Sequence, residues 1–181
     1  INRVDFFTSH EALLLMYESA MTRTVPRRSG WWNLGTHMPW LGVRTGDPDG
    51  GHVEFLRGIR NPLGIKVGPT SDLDQLVRVL DVLDPHDEPG RITLIHRFGA
   101  SKVSSFLPGL LARIKETGRT VLYSCDPMHG NTETVQLAKG PNAGLRMKTR
   151  KFSHILAELE QSFEIHRRAG TILGGVHFEL T

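Results

Sequence analysis

A short β-branched run followed by an amphipathic helix recurs along this chain, and few folds accept that rhythm. Gly64-Ile65-Lys66-Val67-Gly68-Pro69 reads as a strand closed at Gly68 by turn residues. The spacing after it predicts a helix, because Leu73, Leu76, Val77 and Leu80 fall on one face. Pro89-Gly90 breaks the chain, and Arg91 to Arg97 is the next strand. Ser104 to Thr117 is a helix with Leu107, Leu110, Leu111 and Ile114 aligned and Gly118 as its stop. Thr120 to Cys125 returns to strand. Alternation at roughly 28 residues per unit is the signature of βα units and a parallel sheet.

The pattern extends both ways. Upstream, Val4 to Ser9 is strand-like and feeds a helix from Glu11 to Met21; Trp31 to Leu41 is a weaker strand, followed by a helix from His52 to Arg60. Downstream, Phe152 to Ala169 is an amphipathic helix with Ile155, Leu156, Leu159 and Phe163 as its apolar face. Its stretch Glu158–Arg168, with mixed charges, reads as a solvated face. Gly174 to Leu180 makes a final strand. Six such strands suit an open doubly wound sheet or most of an eight-stranded barrel.

Composition narrows the function classes. With 181 residues, 39% hydrophobic and 23% charged, the chain is one folded α/β domain spanning residues 1–181. Its longest apolar run, Ala12 to Met16, is far short of the ~20 residues of a membrane helix, and no signal peptide opens it, so no membrane partner is expected. A lone Cys125 excludes a disulfide framework and points to a reducing, cytoplasmic setting. The net charge of +3 is scattered; the densest basic stretch, Leu145 to Lys151, has no aromatic platform, which argues against nucleic acid. The chain opens on Ile1 and stops at Thr181 directly after a strand pattern, so a piece of a longer protein is expected.

No Gly-rich phosphate loop opens any of the helices. Instead Arg44, Lys66, Arg97, His129 and Glu179 stand at or beyond the carboxyl ends of successive strands. A barrel gathers such ends into one mouth, which favours the barrel over the open sheet. Lys66 lies in an otherwise apolar strand and must meet a polar cavity or a partner. His129 sits in the bent loop Cys125-Asp126-Pro127-Met128-His129-Gly130, displayed either as a metal ligand or proton shuttle or as a loop histidine with a backbone partner. Glu179, between apolar neighbours, needs a cation. Cys125, His10, His37, His52 and His177 read as structural, and Trp31, Trp32 and Trp40 as packing. Two basic groups, a histidine and an acid converging at a barrel mouth describe a site for an anionic, phosphorylated substrate with a divalent metal.

A set of ordered motifs carries a resemblance. Thr8-Ser9-His10-Glu11-Ala12-Leu13-Leu14, Trp40-Leu41-Gly42-Val43-Arg44-Thr45, Asn61-Pro62-Leu63-Gly64-Ile65-Lys66-Val67-Gly68-Pro69, Cys125-Asp126-Pro127-Met128-His129-Gly130-Asn131-Thr132, Lys148-Thr149-Arg150 and Gly174-Gly175-Val176-His177-Phe178-Glu179-Leu180-Thr181 follow one another in this order. Together they resemble class II (plant-type) 3-deoxy-D-arabino-heptulosonate 7-phosphate (DAHP) synthases over nearly the whole chain. The resemblance implies an α/β TIM barrel of which this chain covers strands three to eight. It implies condensation of phosphoenolpyruvate with erythrose 4-phosphate, the entry step of the shikimate route to aromatic amino acids. Arg44, Lys66 and Arg97 would hold phosphoenolpyruvate, Lys66 and His129 would act in catalysis, and His129 and Glu179 would ligate manganese or cobalt, with zinc as an alternative. A homo-oligomer and a chorismate mutase partner belong to the same expectation.

Three departures from the family pattern matter. Val43 stands where the family carries a Glu beside phosphoenolpyruvate. The segment between Thr132 and Lys148 is longer than usual. The family's Cys and Asp metal ligands and an N-terminal Arg lie outside these residues, so the 181 residues alone are expected to be inactive and to aggregate through open sheet edges. Two alternatives stand beside the main reading: a secondary-metabolism paralogue with a different acceptor sugar, and a catalytically degenerate binding or regulatory homologue.

Overall fold

A computed structural model describes residues 7–136 and 144–179. The elements run β1 (Ser9–Glu11), α1 (Leu15–Ala20), β2 (Thr22–Arg23), β3 (Trp32–Asn33), β4 (Met38–Leu41), α2 (Gly51–Gly58), β5 (Leu63–Val67), α3 (Leu73–Leu83), β6 (Ile92–His96), α4 (Val103–Thr117), β7 (Leu122–Cys125), β8 (Thr132–Gln136), β9 (Arg146–Arg150), α5 (Phe152–Ala169) and β10 (Leu173–Val176). Six strands form one parallel sheet in the order β1-β4-β5-β6-β7-β10. β2–β3 and β8–β9 are separate antiparallel pairs.

The order of the main sheet follows the order of the chain, with no reversal. A doubly wound sheet turns back at a switch point, whereas a barrel winds in one direction. The sheet also curls. A flat sheet would hold β1 and β10 roughly 24 Å apart at the usual strand spacing. Yet the Ser9 hydroxyl lies 3.5 Å from His177 Nδ1, just beyond β10, and the Trp40 and His177 rings are 6.1 Å apart. The fold is thus the arc of a TIM barrel, as the sequence rhythm and the resemblance imply.

Strand alternation divides the two faces. Leu63, Ile65 and Val67 of β5, Ile92 and Leu94 of β6, and Tyr123 and Cys125 of β7 pack outward against Leu76, Leu80, Leu107, Leu110 and Ile114 of the helices. Trp40, Gly64, Lys66, Ile95 and Ser124 line the inside of the arc, where Lys66, Ile95 and Ser124 stand in register. Gly64 is required there, since a Cβ would lie 2.7 Å from Trp40 Cβ and 2.8 Å from Ile95 Cδ1. Every residue of β5 is buried, the mark of a strand covered on both faces.

Local signals explain the element ends. The Asp72 carboxylate accepts N–H bonds from Asp74 and Gln75 at 2.8 and 3.1 Å and starts α3. Gly118 and Gly170, both at φ 69°, end α4 and α5 in the left-handed conformation that glycine adopts without a steric penalty. Among the described residues, no helix is long and apolar enough to cross a membrane.

Several expectations need correcting. The first strand lies at Ser9–Glu11 rather than Val4–Ser9, of which Val4 to Phe6 fall outside the described residues, and the helix after it begins only at Leu15. The apolar run Leu13–Met16 satisfies strand and helix alike, which is why the boundary slid. Trp31–Leu41 is two strands in different sheets. The final strand spans Leu173–Val176, so Glu179 sits beyond it and Leu180 is not among the described residues. The largest correction concerns α5. Its buried stripe is Glu158, Ser162 and His166, one helical turn apart, while Leu156 and Phe163 are exposed. The helix turns a polar stripe inward because the ends of β6 and β7 present it with backbone amides and the His96 ring rather than with apolar surface alone.

Candidate active site at the carboxyl ends of the strands

Lys66, at the inner face of β5, is buried, and its ammonium bonds the carboxylate of Asp126, which follows β7. Burial drags the Lys66 ammonium below its ordinary value, with Asp126 pushing the other way. For Asp126 burial acts upward, but the bonds from His129 and Lys66 outweigh it and hold the carboxyl well below the usual carboxylate range. The Asp126 carboxyl is therefore held in its ionised form against Lys66. Lys66 also lies 4.8 Å over the Trp40 ring.

Asp126 is the hub of the site. Its Oδ1 accepts the backbone N–H groups of Met128 and His129 at 3.0 and 3.1 Å, and its Oδ2 lies 2.6 Å from His129 Nδ1. A proton on Nδ1, donated to Asp126, leaves the lone pair of Nε2 facing the site. His129 Nε2 is 3.1 Å from Glu179 Oε2, and Arg150 of β9 donates to that same oxygen at 2.9 Å. Lys66, Asp126, His129, Glu179 and Arg150 thus form one continuous line of alternating charge and imidazole across the barrel mouth.

The remaining predicted residues ring this line. Arg97, directly after β6, leans over the end of β5: a Cβ on Gly68 would lie 3.7 Å from its guanidinium carbon. Among the described residues Arg97 has no carboxylate partner within 4.0 Å, which leaves its fork open to an anion. Arg44 and Val43 occupy a short 3-10 turn after β4; Arg44 is 76% exposed and 3.5 Å from Glu11 of β1. Lys66 and Arg97 are thus near enough for the guanidinium to act on the ammonium, and His129 meets Glu179, whereas Arg44 lies out at the rim against Glu11.

Sequence reading missed Asp126, Arg150 and Glu11. Asp126 carried a usable signal: Ser124 and Asp126 share the inner-face parity of β7, on which a buried lysine needs an acid. Arg150 carried a fainter one, as the last residue of the Lys148-Thr149-Arg150 motif, but no spacing in the sequence places the β8–β9 hairpin over the mouth. His177 read as structural, yet it lies inside the arc beside Trp40, its pKa brought down to about 4 by burial and by the Lys66 charge. Cys125 is a core residue as expected, fully buried, its thiol pushed up to about 12 by burial.

The donor set bears on a metal. Among the described residues no group of three or more His, Cys, Asp or Glu side chains converges. Two donors do: His129 Nε2 and Glu179 Oε2 stand about as far apart as neighbouring ligands of an octahedral ion, roughly 3 Å. His129 is backed by a carboxylate on its other nitrogen, the arrangement that orients a ligating imidazole.

Fold and site together define an α/β barrel protein with a basic, histidine- and carboxylate-bearing mouth. The chain belongs to the class-II DAHP synthetase family, which matches it over residues 1–181. It is 43% identical over 197 aligned positions to the phospho-2-dehydro-3-deoxyheptonate aldolase of Neurospora crassa, a match covering 100% of this chain and 39% of that protein. With the protein of the same name from Streptomyces coelicolor it shares 46% identity over 178 positions, 98% of this chain and 38% of that one. A chloroplastic protein of Catharanthus roseus, named as a probable aldolase of the same kind, is 46% identical across 94% of this chain and 33% of its own length. The chain thus spans less than two fifths of the length of these relatives.

Proposed function

We propose that the protein carrying this chain condenses phosphoenolpyruvate with erythrose 4-phosphate to give DAHP and inorganic phosphate. The observation that carries the reading is the line from Lys66 through Asp126 and His129 to Glu179 at the strand ends, flanked by the open guanidinium of Arg97. Phosphoenolpyruvate brings a phosphate and a carboxylate, which suit the guanidinium forks of Arg44 and Arg97 and the point charge of Lys66. Asp126 keeps Lys66 directed at the lumen and sets the tautomer of His129. Carbon 3 of phosphoenolpyruvate attacks the aldehyde of the sugar phosphate, water adds at carbon 2, and phosphate leaves. His129 and Glu179 would hold a divalent ion, manganese or cobalt, with zinc as an alternative; such an ion supplies Lewis acidity toward the aldehyde oxygen. The rest of the proposal is a reducing, cytoplasmic compartment, in keeping with the single buried cysteine, a homo-oligomer, and a chorismate mutase partner.

The test is phosphate release by the whole protein given phosphoenolpyruvate, erythrose 4-phosphate and Mn2+. Release that falls at least a hundredfold in Lys66→Ala, on the order expected for a lost charge partner of the reacting group, supports the reading; silence with every aldose phosphate tried defeats it. Val43 favours a second reading, a retuned acceptor or a binding homologue, because an apolar side chain stands where the family has an acid. Val43→Glu separates the two. A large gain in release identifies a retuned enzyme, and no change favours the binding role.

A further inference from the structure

Glu158 of α5 is fully buried and far from solvent, yet none of the described basic side chains pairs with it. Its Oε1 accepts the backbone N–H groups of Phe98 and Gly99 at 2.8 and 2.9 Å, and its Oε2 accepts the Asn131 amide at 2.6 Å. Asn131 in turn accepts the N–H of Ala100 at 2.9 Å and donates to the carbonyl of Pro127 at 2.9 Å. One carboxylate therefore joins the segment that begins at Arg97 to the segment that contains His129.

The two segments touch backbone to backbone. A Cβ on Gly99, whose φ is 88°, would lie 2.6 Å from the Gly130 carbonyl oxygen, so both positions need glycine for the approach. An uncompensated buried carboxylate is costly, and a helix that only had to cover the sheet would do so better with an apolar side chain. What the carboxylate adds is placement: three donors from two segments fix their relative position to within hydrogen-bond tolerance, the precision that a constellation of binding groups requires.

We propose that Glu158 is a positioning residue of the site, setting Arg97 and His129 relative to one another through the amides of Phe98 and Gly99 and the side chain of Asn131. The inference rests on the functional reading above, because Arg97 is taken as an anion ligand and His129 as a metal ligand. Glu158 itself touches neither.

The experiment uses the whole protein, with Glu158→Gln and Asn131→Ala compared with Arg97→Ala and His129→Ala. Amide hydrogen exchange at residues 97–100 and 127–131, without ligand, reads the tie; titrations with phosphoenolpyruvate and with Mn2+ read its consequence. Glu158→Gln and Asn131→Ala are expected to speed exchange in both segments and to weaken both ligands about tenfold, while melting of Asn131→Ala shifts only slightly. Arg97→Ala should weaken phosphoenolpyruvate alone and His129→Ala Mn2+ alone. Unchanged exchange, or faster exchange with either affinity unchanged, overturns the proposal. If Glu158→Gln does not fold, Asn131→Ala decides, since it leaves the carboxylate on Phe98 and Gly99. A wild-type protein that binds neither ligand defeats the proposed function instead; the exchange data and the His129 imidazole resonances then decide alone whether the tie sets these two segments.

Discussion

Buried ionisable side chains dominate this molecule at the scale of single residues. Asp126 is the partner of both Lys66 and His129, so Asp126→Ala strands a buried ammonium and frees the imidazole. We expect a loss of roughly 3–5 kcal/mol, the cost of breaking a buried pair from one side, measured by urea unfolding. The histidines make a second prediction. His96 is fully buried, its Nε2 3.5 Å from that of His166, and its Nδ1 has no hydrogen-bond partner among the described residues. Burial, and the neighbouring His166, bring its pKa down to about 3, and burial brings His166 down to about 4. In the unfolded chain both would titrate near 6.5. The unfolded state therefore binds more protons as pH falls below that value, and stability drops from about pH 6.5 toward pH 4, by about 1.4 kcal/mol per unit for each such group. His177 acts in the same direction. Glu158 opposes them, its carboxyl raised by burial against the Gly99 and Phe98 amides, but it is one group against three. His96→Phe should flatten the slope of unfolding free energy against pH; an unaltered slope would show that His96 takes no part.

At the scale of elements, α5 carries the lesson about periodicity. Its ends match the sequence reading, because Gly170 and the Phe152 start are local signals, while its inward face does not. Hydrophobic spacing finds the face that would be buried against an apolar sheet; here the sheet edge offers amides, so Glu158, Ser162 and His166 turn inward and Leu156 and Phe163 stay out. Ser162→Leu should overpack the space beside Cys125, which is 3.6 Å away at its sulfur, and cost about 1–3 kcal/mol. Phe163→Ser should change the stability of this chain by no more than about 0.5 kcal/mol. The reverse ranking in thermal melts would reinstate the amphipathic reading. For α3, Asp72→Ala removes two N-terminal bonds, and a loss of about 1 kcal/mol is expected.

For the whole molecule, the described sheet pairs β1 and β10 on one side only, and Met16, Phe152 and Ile172 stand open to solvent. Unpaired edges and exposed apolar side chains template association. The 181 residues alone should therefore self-associate in sedimentation velocity, and a monomer with a sharp cooperative melt would contradict this. Sequence alone determined the α/β class, four of the five helices to within a few residues, and that Lys66 must meet a partner, because strand and helix periods and the need of a buried charge for a partner are local facts. The tertiary structure decided which charges meet. Asp126 under Lys66, Arg150 over Glu179 and Glu158 beneath Gly99 lie 29 to 60 residues apart in the chain, and only the tertiary fold brings them together. Spacing along a chain encodes which way a side chain points, and the curvature of the sheet encodes what it finds there.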